Sequence, residues 1–255
     1  MDIAQAIAAR HSTRTFTGEA LDDSECAVLD KVIAEKKTPF GNRFHIFRRV
    51  FADKGATKPG TYGMITSCRD YLLLTYDPSD EMSVLSAGYA AECAVLEATR
   101  LGLGSCWIGG TFNRVDFEKS IQIPEREALS AVIAIGHGCE KRRLIDRLSG
   151  MIAGSDKRKP FDSLFSIEGD EFRPSLEAMR LAPSARNLQP WRAFADGTTI
   201  HFYRTEQSPY TLLDCGISLC HFNIAEKYHG FDGVFFSYDA SVHPKLKYVI
   251  SYSRR

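Results

Sequence analysis

The feature that most constrains this chain of 255 residues is a faint internal repeat. In the first copy, Pro39-Phe40-Gly41-Asn42 follows a predicted helix and leads into a strand-like segment at 47–53. In the second copy, Pro183-Ser184-Ala185-Arg186-Asn187 also follows a predicted helix and leads into segment 191–196. A loop placed in this way twice suggests that two similar units are joined in tandem.

The helices and strands that follow keep the same order in both copies. Gly88 lies 14 residues before Gly102, and Gly216 lies 14 residues before Gly230, so each predicted helix contains an early glycine and stops at a later one. Afterwards LSAVIAIG at 129–136 matches LKYVISY at 246–252. The agreement favours duplication, although two unrelated helix–strand units could resemble each other by chance. Two tandem half-sites can do what a two-fold dimer does with two chains.

Periodicity and breakers predict an α+β chain. The expected helices are 1–10, 21–38, 86–102, 115–120, 176–181 and 214–230, and the expected strands are 44–51, 70–77, 105–108, 129–136, 192–195, 199–204 and 247–252. Residues 10–16 should be extended, and Asp196-Gly197 should form a hairpin turn. Segment 137–158, with Lys141-Arg142-Arg143, is predicted as loop plus a short helix.

Composition narrows the function classes. Thirty-two basic and 32 acidic residues give a net charge of zero, which argues against nucleic acid as the main partner. No apolar run approaches the length of about 20 residues that a membrane span requires, and the N-terminus does not resemble a secretory signal. Seven cysteines without CxxC or zinc spacing predict free thiols in a reducing cytoplasm.

Two segments are candidates for chemistry. Arg10, Ser12 and Arg14 alternate along an extended segment, so their side chains share one face and could bind a phosphate or another planar anion. The alternative is a solvated strand edge with ordinary ion pairs. The second segment, APSARNLQPW at 182–191, is a stiff loop that could offer backbone N–H groups and amides to a ligand. Its alternative is a rigid turn with Trp191 in the core.

Together these segments resemble the nitroreductase family of FMN-dependent oxidoreductases. The resemblance rests on Arg10-x-Ser12-x-Arg14-x-Phe16, the Pro-Ser-x-x-Asn-x-Gln-Pro-Trp loop at 183–191, and the alanine-rich helix that runs into GLGSCWIGG at 102–110. It also includes Arg158-Lys159-Pro160 and covers nearly the whole chain. It implies an α+β sandwich with a mostly antiparallel central sheet.

One departure from the family pattern carries structural meaning. Ordinary members have the Pro-Ser-Asn-Gln-Pro-Trp loop after the first long helix, where this chain has only the degraded version at 38–44. The intact loop lies in the second half, as in the subgroup whose single chain imitates the usual homodimer. The resemblance therefore implies two halves, 1–160 and 165–255, that form one compact pseudo-dimer, with a monomer as the default state.

The resemblance also implies the cofactor site and its chemistry. FMN would bind between the halves, with no metal and no catalytic side chain. The implied cofactor-binding residues are Arg10, Ser12, Arg14, Gly109, Gly110, Arg158, Pro183, Ser184, Ala185 and Asn187. NADH or NADPH would reduce the flavin, and a small electron-poor acceptor such as a nitroaromatic or a quinone would reoxidise it in a ping-pong cycle. The alternative is a flavin-binding protein without turnover that serves storage or redox sensing.

The mirror-related flavin site lacks both of its parts. The second half has no RxSxR, since Phe172-Arg173-Pro174-Ser175 lacks the pattern, and the first half has only the degraded loop. We therefore expect one flavin per chain, with the second site unused or filled by side chains. Trp107 and Trp191 are expected to pack in the core rather than to stack on a ligand.

Overall fold

The computed structural model describes residues 1–35, 37–51, 60–139, 157–238 and 245–255. Three sequence predictions fall partly outside these ranges. They are the predicted helix 21–38 at residue 36, the end of the first repeated segment at Ala52 and Asp53, and the segment 137–158 at residues 140–156, which include Lys141-Arg142-Arg143. No helix within the described ranges is long and apolar enough to cross a bilayer.

Helices and strands follow one another in the order that the sequence suggests. The helices are α1 (Ile3–Ala9), α2 (Asp23–Glu35), α3 (Glu81–Arg100), α4 (Arg114–Glu118), α5 (Phe161–Leu164), α6 (Arg173–Arg180) and α7 (Thr211–Tyr228). The strands are β1 (Phe44–Val50), β2 (Asp70–Tyr76), β3 (Gly104–Ile108), β4 (Ala128–Gly136), β5 (Phe165–Ser166), β6 (Trp191–Asp196), β7 (Thr199–Arg204), β8 (Gly233–Phe236) and β9 (Lys247–Arg254). The predicted α+β class with mostly antiparallel strands is confirmed.

The strands are divided between two sheets of the same topology. In the first sheet the order is β1-β2-β4-β3, and in the second it is β5-β6-β7-β9-β8. If the short parallel strand β5 is set aside, each sheet contains four strands. Along the chain, two antiparallel strands are followed by a long helix and two further strands, and the four strands pair antiparallel in the same order in both sheets. The sequence analysis missed β8, because its four residues, GVFF, are too short to show a period.

The long helices α3 and α7 cross at the centre of the molecule, and two glycines make this possible. A Cβ atom on Gly88 would lie 2.3 Å from the carbonyl oxygen of Leu213, and one on Gly216 would lie 2.2 Å from the carbonyl oxygen of Leu85. Leu85 and Leu213 each precede their own glycine by three residues, so the contact is reciprocal. The two helices therefore meet backbone to backbone about a local two-fold axis.

The ends of these helices also correspond. Gly102 and Gly230 both have left-handed backbones, with φ of 83° and 80°. Leu103 N donates to Ala98 O and Phe231 N donates to Glu226 O, so each helix ends in a Schellman motif. The predicted helix stops at both glycines are confirmed.

The start of α3 differs from the prediction. The helix begins at Glu81 rather than at Ser86, because the side chain of Asp80 accepts hydrogen bonds from the backbone N–H groups of Met82 and Ser83. Asp80 is a strong N-cap that the alanine-based periodicity did not take into account. The extra turn carries Glu81, whose carboxylate forms an ion pair with Arg204 on β7.

Candidate functional site

A cavity of about 580 Å³ is lined by residues of the segments 10–14 and 107–111, by the start of α7 and by the loop before β6. All ten residues implied by the family resemblance line it: Arg10, Ser12, Arg14, Gly109, Gly110, Arg158, Pro183, Ser184, Ala185 and Asn187. Residues up to 177 positions apart in the sequence are thus brought together. Their individual roles toward a ligand stay predictions.

Arg10, Ser12 and Arg14 run beside the edge of the first sheet, where Ser12 forms a parallel bridge with Ser105 on β3. This extended segment points Arg10 and Arg14 into the same cavity, as the alternation predicts. Arg10 Nε is buried without a hydrogen-bond partner. Within the described ranges no carboxylate forms an ion pair with either guanidinium group, so both are available to an anion.

The loop before β6 is a strained turn held by its own polar groups. Arg186, Asn187 and Gln189 have left-handed backbones, with φ of 50°, 56° and 47°. Such conformations cost about 1–2 kcal/mol for each non-glycine residue and persist where the surroundings impose them. Here Gln189 N donates to Ser184 Oγ at 2.9 Å and Asn187 N donates to Ser184 O at 2.9 Å.

The segment at 157–159 fastens this loop from outside. Lys159 N donates to the side-chain oxygen of Gln189 at 2.8 Å, and the guanidinium group of Arg158 donates to Leu181 O at 2.9 Å. Asn187 Nδ2 in turn donates to Lys157 O at 2.7 Å. These contacts bring the charge of Arg158 to the cavity wall beside the loop.

Gly109 and Gly110 line another part of the cavity wall, and the side chain of Tyr210 lies beside both. The Tyr210 hydroxyl donates to Gly109 O at 2.6 Å, and a Cβ atom on Gly109 would lie 3.0 Å from the tyrosine ring. At Gly110 an added Cβ would approach only the tyrosine hydroxyl, at 3.8 Å, which is ordinary contact. The close approach that requires glycine at 109 is therefore to Tyr210.

Behind this wall, a buried hydrogen-bonded chain leads from the cavity into the helix crossing. Trp107 packs against the core as expected, but it is only partly buried and also lines the cavity. Its indole N–H donates to Glu92 Oε2 at 2.8 Å, and Glu92 Oε1 lies 2.8 Å from His221 Nε2. Because His221 Nδ1 faces the acceptor Ala178 O at 3.1 Å, Nδ1 carries a hydrogen. A second hydrogen atom must therefore lie between His221 Nε2 and Glu92 Oε1.

The corresponding contact on the other side of the crossing is made by two cysteines. Counted from Gly88 and Gly216, Glu92 corresponds to Cys220, and His221 corresponds to Cys93. The Sγ atoms of Cys93 and Cys220 lie 3.4 Å apart. All seven cysteines of the chain are free thiols.

Asp214 is a buried carboxyl group on α7 that sequence reasoning did not single out. It lines the cavity and is only 2% exposed. Its two oxygens lie 3.1 and 3.2 Å from the backbone nitrogen of Ala185. Burial raises the pKa of Asp214 to about 8, and the hydrogen bond from Ala185 opposes that shift only partly.

Several other lining residues were also missed, among them Met64, Trp107, Thr111, Arg186, Tyr210 and Asp214. Tyr210 is the N-cap residue of α7 and Asp214 lies in its first turn, where the sequence shows only a helix start. Their spacing of four residues places them on one helix face. Since the loop at 183–187 is already a predicted ligand-binding segment, this spacing is the sequence signal that could have indicated Tyr210 and Asp214.

The position related to this cavity by the local two-fold axis contains aromatic side chains instead. Phe40, in the degraded loop, lies edge-on to Tyr89 on α3 with ring centroids 5.6 Å apart. It also lies edge-on to Phe235 on β8 at 5.0 Å. Counted from the two glycines, Ser86 stands where the intact cavity has Asp214. Phe40 therefore packs where the intact loop would border a ligand.

Comparison with known families identifies the relatives of this chain. A family model described as "Putative TM nitroreductase" matches residues 2–226. The chain belongs to this nitroreductase family. None of the curated proteins compared with it matches.

One solved structure agrees with this membership at the level of the fold, and two others align over a little more than half of the chain. A putative nitroreductase from Thermotoga maritima aligns with a TM-score of 0.66 and 18% identity, covering 100% of this nitroreductase-family chain and 93% of its own. A putative nitroreductase from Desulfovibrio desulfuricans in complex with FMN aligns with a TM-score of 0.44 and 22% identity, over 58% of this chain and 95% of its own. One from Bacteroides fragilis with bound FMN aligns at 0.44 and 15% identity, over 56% and 92%.

Proposed function

We propose that this protein is an FMN-dependent oxidoreductase that passes hydride from NADH or NADPH to a small electron-poor acceptor. The observation that carries the proposal is the pair of arginines, Arg10 and Arg14, that face the cavity without a carboxylate partner in the described ranges. Both side chains are half-buried, and guanidinium groups that share one cavity bind an anion well, so the phosphate of FMN is a suitable ligand. FMN bound to nitroreductase structures that are similar to this chain supports this choice.

The lining residues divide into two groups by chemistry. Arg10, Ser12, Arg14 and Arg158 would hold the phosphate end, because they combine positive charge with hydrogen-bond donors. The walls formed by Gly109 and Gly110 on one side, and by the loop at 183–187 on the other, would enclose the flat ring. Backbone N–H groups at these walls would favour negative charge on the reduced ring.

Bound FMN would accept a hydride from the nicotinamide and pass it to the acceptor in a second step. The protein's share of this chemistry is to bind, to orient and to exclude water. The strained loop, held by hydrogen bonds to the segment at 157–159, keeps its shape before the cofactor arrives. Such preorganisation lowers the cost of ordering on binding.

The absorbance spectrum of the purified protein tests the proposal. We expect flavin bands in the visible region that bleach when NADH or NADPH is added without oxygen, and that return when a nitroaromatic or a quinone follows. Steady-state rates at several concentrations of both substrates should give parallel lines. A flavin that no nicotinamide bleaches would instead indicate a storage or sensing protein.

We further expect one FMN per chain and a monomer of 28.5 kDa. The cavity joins residues of both halves, and Phe40 packs between Tyr89 and Phe235 at the related position. Flavin released by denaturation should therefore equal the protein concentration, and light scattering should give the monomer mass. A ratio near two would show that both positions bind, and a ratio near one-half would require two chains for each site.

The same proposal includes the organisation and location of the chain. Halves at 1–160 and 165–255 would form one pseudo-dimeric unit, which the repeated strand order supports. A cytoplasmic location would suit seven free cysteines, since reducing compartments keep thiols unpaired.

A further inference from the structure

Asp214 is a titratable group of the cavity wall that the proposed chemistry does not use. Its carboxyl is nearly inaccessible, and within the described ranges only Ala185 N–H donates to it. One backbone donor cannot replace the hydration of a buried carboxylate. The raised pKa, about 8, follows from this burial and keeps the group neutral at neutral pH.

A neutral carboxyl group carries a hydrogen that it can donate, so the group that accepts this hydrogen must be identified. Ala185 N–H is itself a donor, so it occupies an acceptor position of Asp214 and cannot receive that hydrogen. Since Asp214 lines the cavity, its hydroxyl is available to a molecule bound there.

Among the described residues, none with a positive charge forms an ion pair with Asp214. Tyr76 on β2 and Cys215 on α7 interact with it electrostatically, and burial raises the pKa of both, so they remain neutral near pH 8. Tyr210, one turn earlier, donates its hydroxyl to Gly109 O. The arginines Arg10, Arg14, Arg158 and Arg186 line the same cavity, but in the described part of the chain none forms an ion pair with Asp214. Without such a pair, burial favours the neutral carboxyl group.

Resting on the function proposed above, we propose that Asp214 binds the FMN directly, as a neutral carboxyl group that donates a hydrogen bond to an oxygen or ring nitrogen of the cofactor. The flavin ring and ribityl chain are rich in such acceptors. At the two-fold related position, Ser86 replaces Asp214 and Phe40 packs nearby. The carboxyl is therefore found only at the half-site that keeps the intact loop.

The pH dependence of FMN binding separates this role from a purely structural one. A donor role requires the proton, so the Kd should rise above pH 8, approaching about tenfold per pH unit. A role limited to anchoring Ala185 predicts a Kd that stays level or falls, because an ionised carboxylate accepts from an N–H group at least as well. A rise in Kd above pH 8 therefore separates the donor role from the anchoring role.

The experiment measures the Kd of FMN for the apoprotein by quenching of flavin fluorescence between pH 6 and pH 9.5. Asp214→Asn is the matched variant, since its amide accepts from Ala185 and donates to the cofactor without titrating. We expect Asp214→Asn to bind like the wild type at pH 6 and to hold that affinity at pH 9.5. Asp214→Ala should bind at least tenfold more weakly at pH 6. Circular dichroism checks that each variant is folded.

The outcomes separate this inference from the function on which it rests. Wild-type protein that binds no FMN at any pH would overturn both. Wild-type protein that binds FMN equally at pH 6 and pH 9.5 would overturn the role of Asp214 and leave the proposed function intact. The same holds if Asp214→Asn loses affinity above pH 8 as the wild type does, because the titrating group would then lie elsewhere.

Discussion

Replacing Arg10 and Arg14 together by alanine should abolish FMN binding and leave the fold intact. Both guanidinium groups line the cavity, and the described residues offer them no carboxylate partner. A hydrogen bond to a charged group contributes about 2 kcal/mol. Losing two of them should cost about 4 kcal/mol, which weakens the Kd about a thousandfold. Because no ion pair within the described protein is broken, the melting temperature of the apoprotein should hardly change.

The measurement is the flavin content after gel filtration, followed by titration of the apoprotein with FMN. Arg43→Ala combined with Arg100→Ala is the matched control, because it removes the same charge from exposed side chains outside the cavity. The control should retain its yellow colour. Flavin retention by the Arg10 and Arg14 variant would refute the phosphate assignment, whatever the cavity binds.

Alanine at Gly88 or at Gly216 should destabilise the whole protein strongly. The new methyl group would lie 2.3 or 2.2 Å from a backbone carbonyl oxygen of the opposite helix, where no side-chain rotation relieves the clash. Overpacking of a core costs about 1–3 kcal/mol and more where the backbone must move, so we expect a loss of at least about 3 kcal/mol. For a chain of this size that lowers Tm by roughly 6–12 °C.

This effect opposes the intrinsic preference of the residues, which makes it diagnostic. In an exposed helix, glycine to alanine stabilises by about 1 kcal/mol. Urea unfolding of Gly88→Ala, Gly216→Ala and the control Lys227→Ala should therefore give two large losses and one change within about 0.5 kcal/mol. Wild-type stability in either glycine variant would mean that α3 and α7 do not approach as closely as described.

Much of the fold could be predicted because local signals agree with tertiary structure. The buried run in β2 occupies an inner position in its sheet, and Gly102 and Gly230 end their helices because a left-handed residue is needed there. The predicted start of α3 was too late in the sequence because the N-cap residue, Asp80, precedes the alanine-rich part of the helix. Strand β8 is only four residues long, and pairing with β9 rather than its own sequence defines it.

The residues of the candidate site also fall into those that the sequence could predict and those that only the fold reveals. Arg10, Arg14 and the loop at 183–187 are contiguous motifs, so the sequence indicates them directly. Asp214 acquires its character from burial against Ala185, which lies 29 residues away, and nothing local distinguishes it from an ordinary acidic residue in the first turn of a helix. Glu92 and His221 are 129 residues apart, and only the crossing of two helices brings them into contact.

The crossing of α3 and α7 has a consequence for what each half can become. In a dimer of identical chains, every contact across the axis occurs twice, so a substitution alters both copies at once. Here Glu92 meets His221 on one side, and the equivalent positions on the other side hold Cys220 and Cys93. Two identical helices could not form this unequal pair of contacts. A single chain lets the two sides of one interface diverge independently, so one side can keep a ligand-facing network while the other becomes ordinary protein interior.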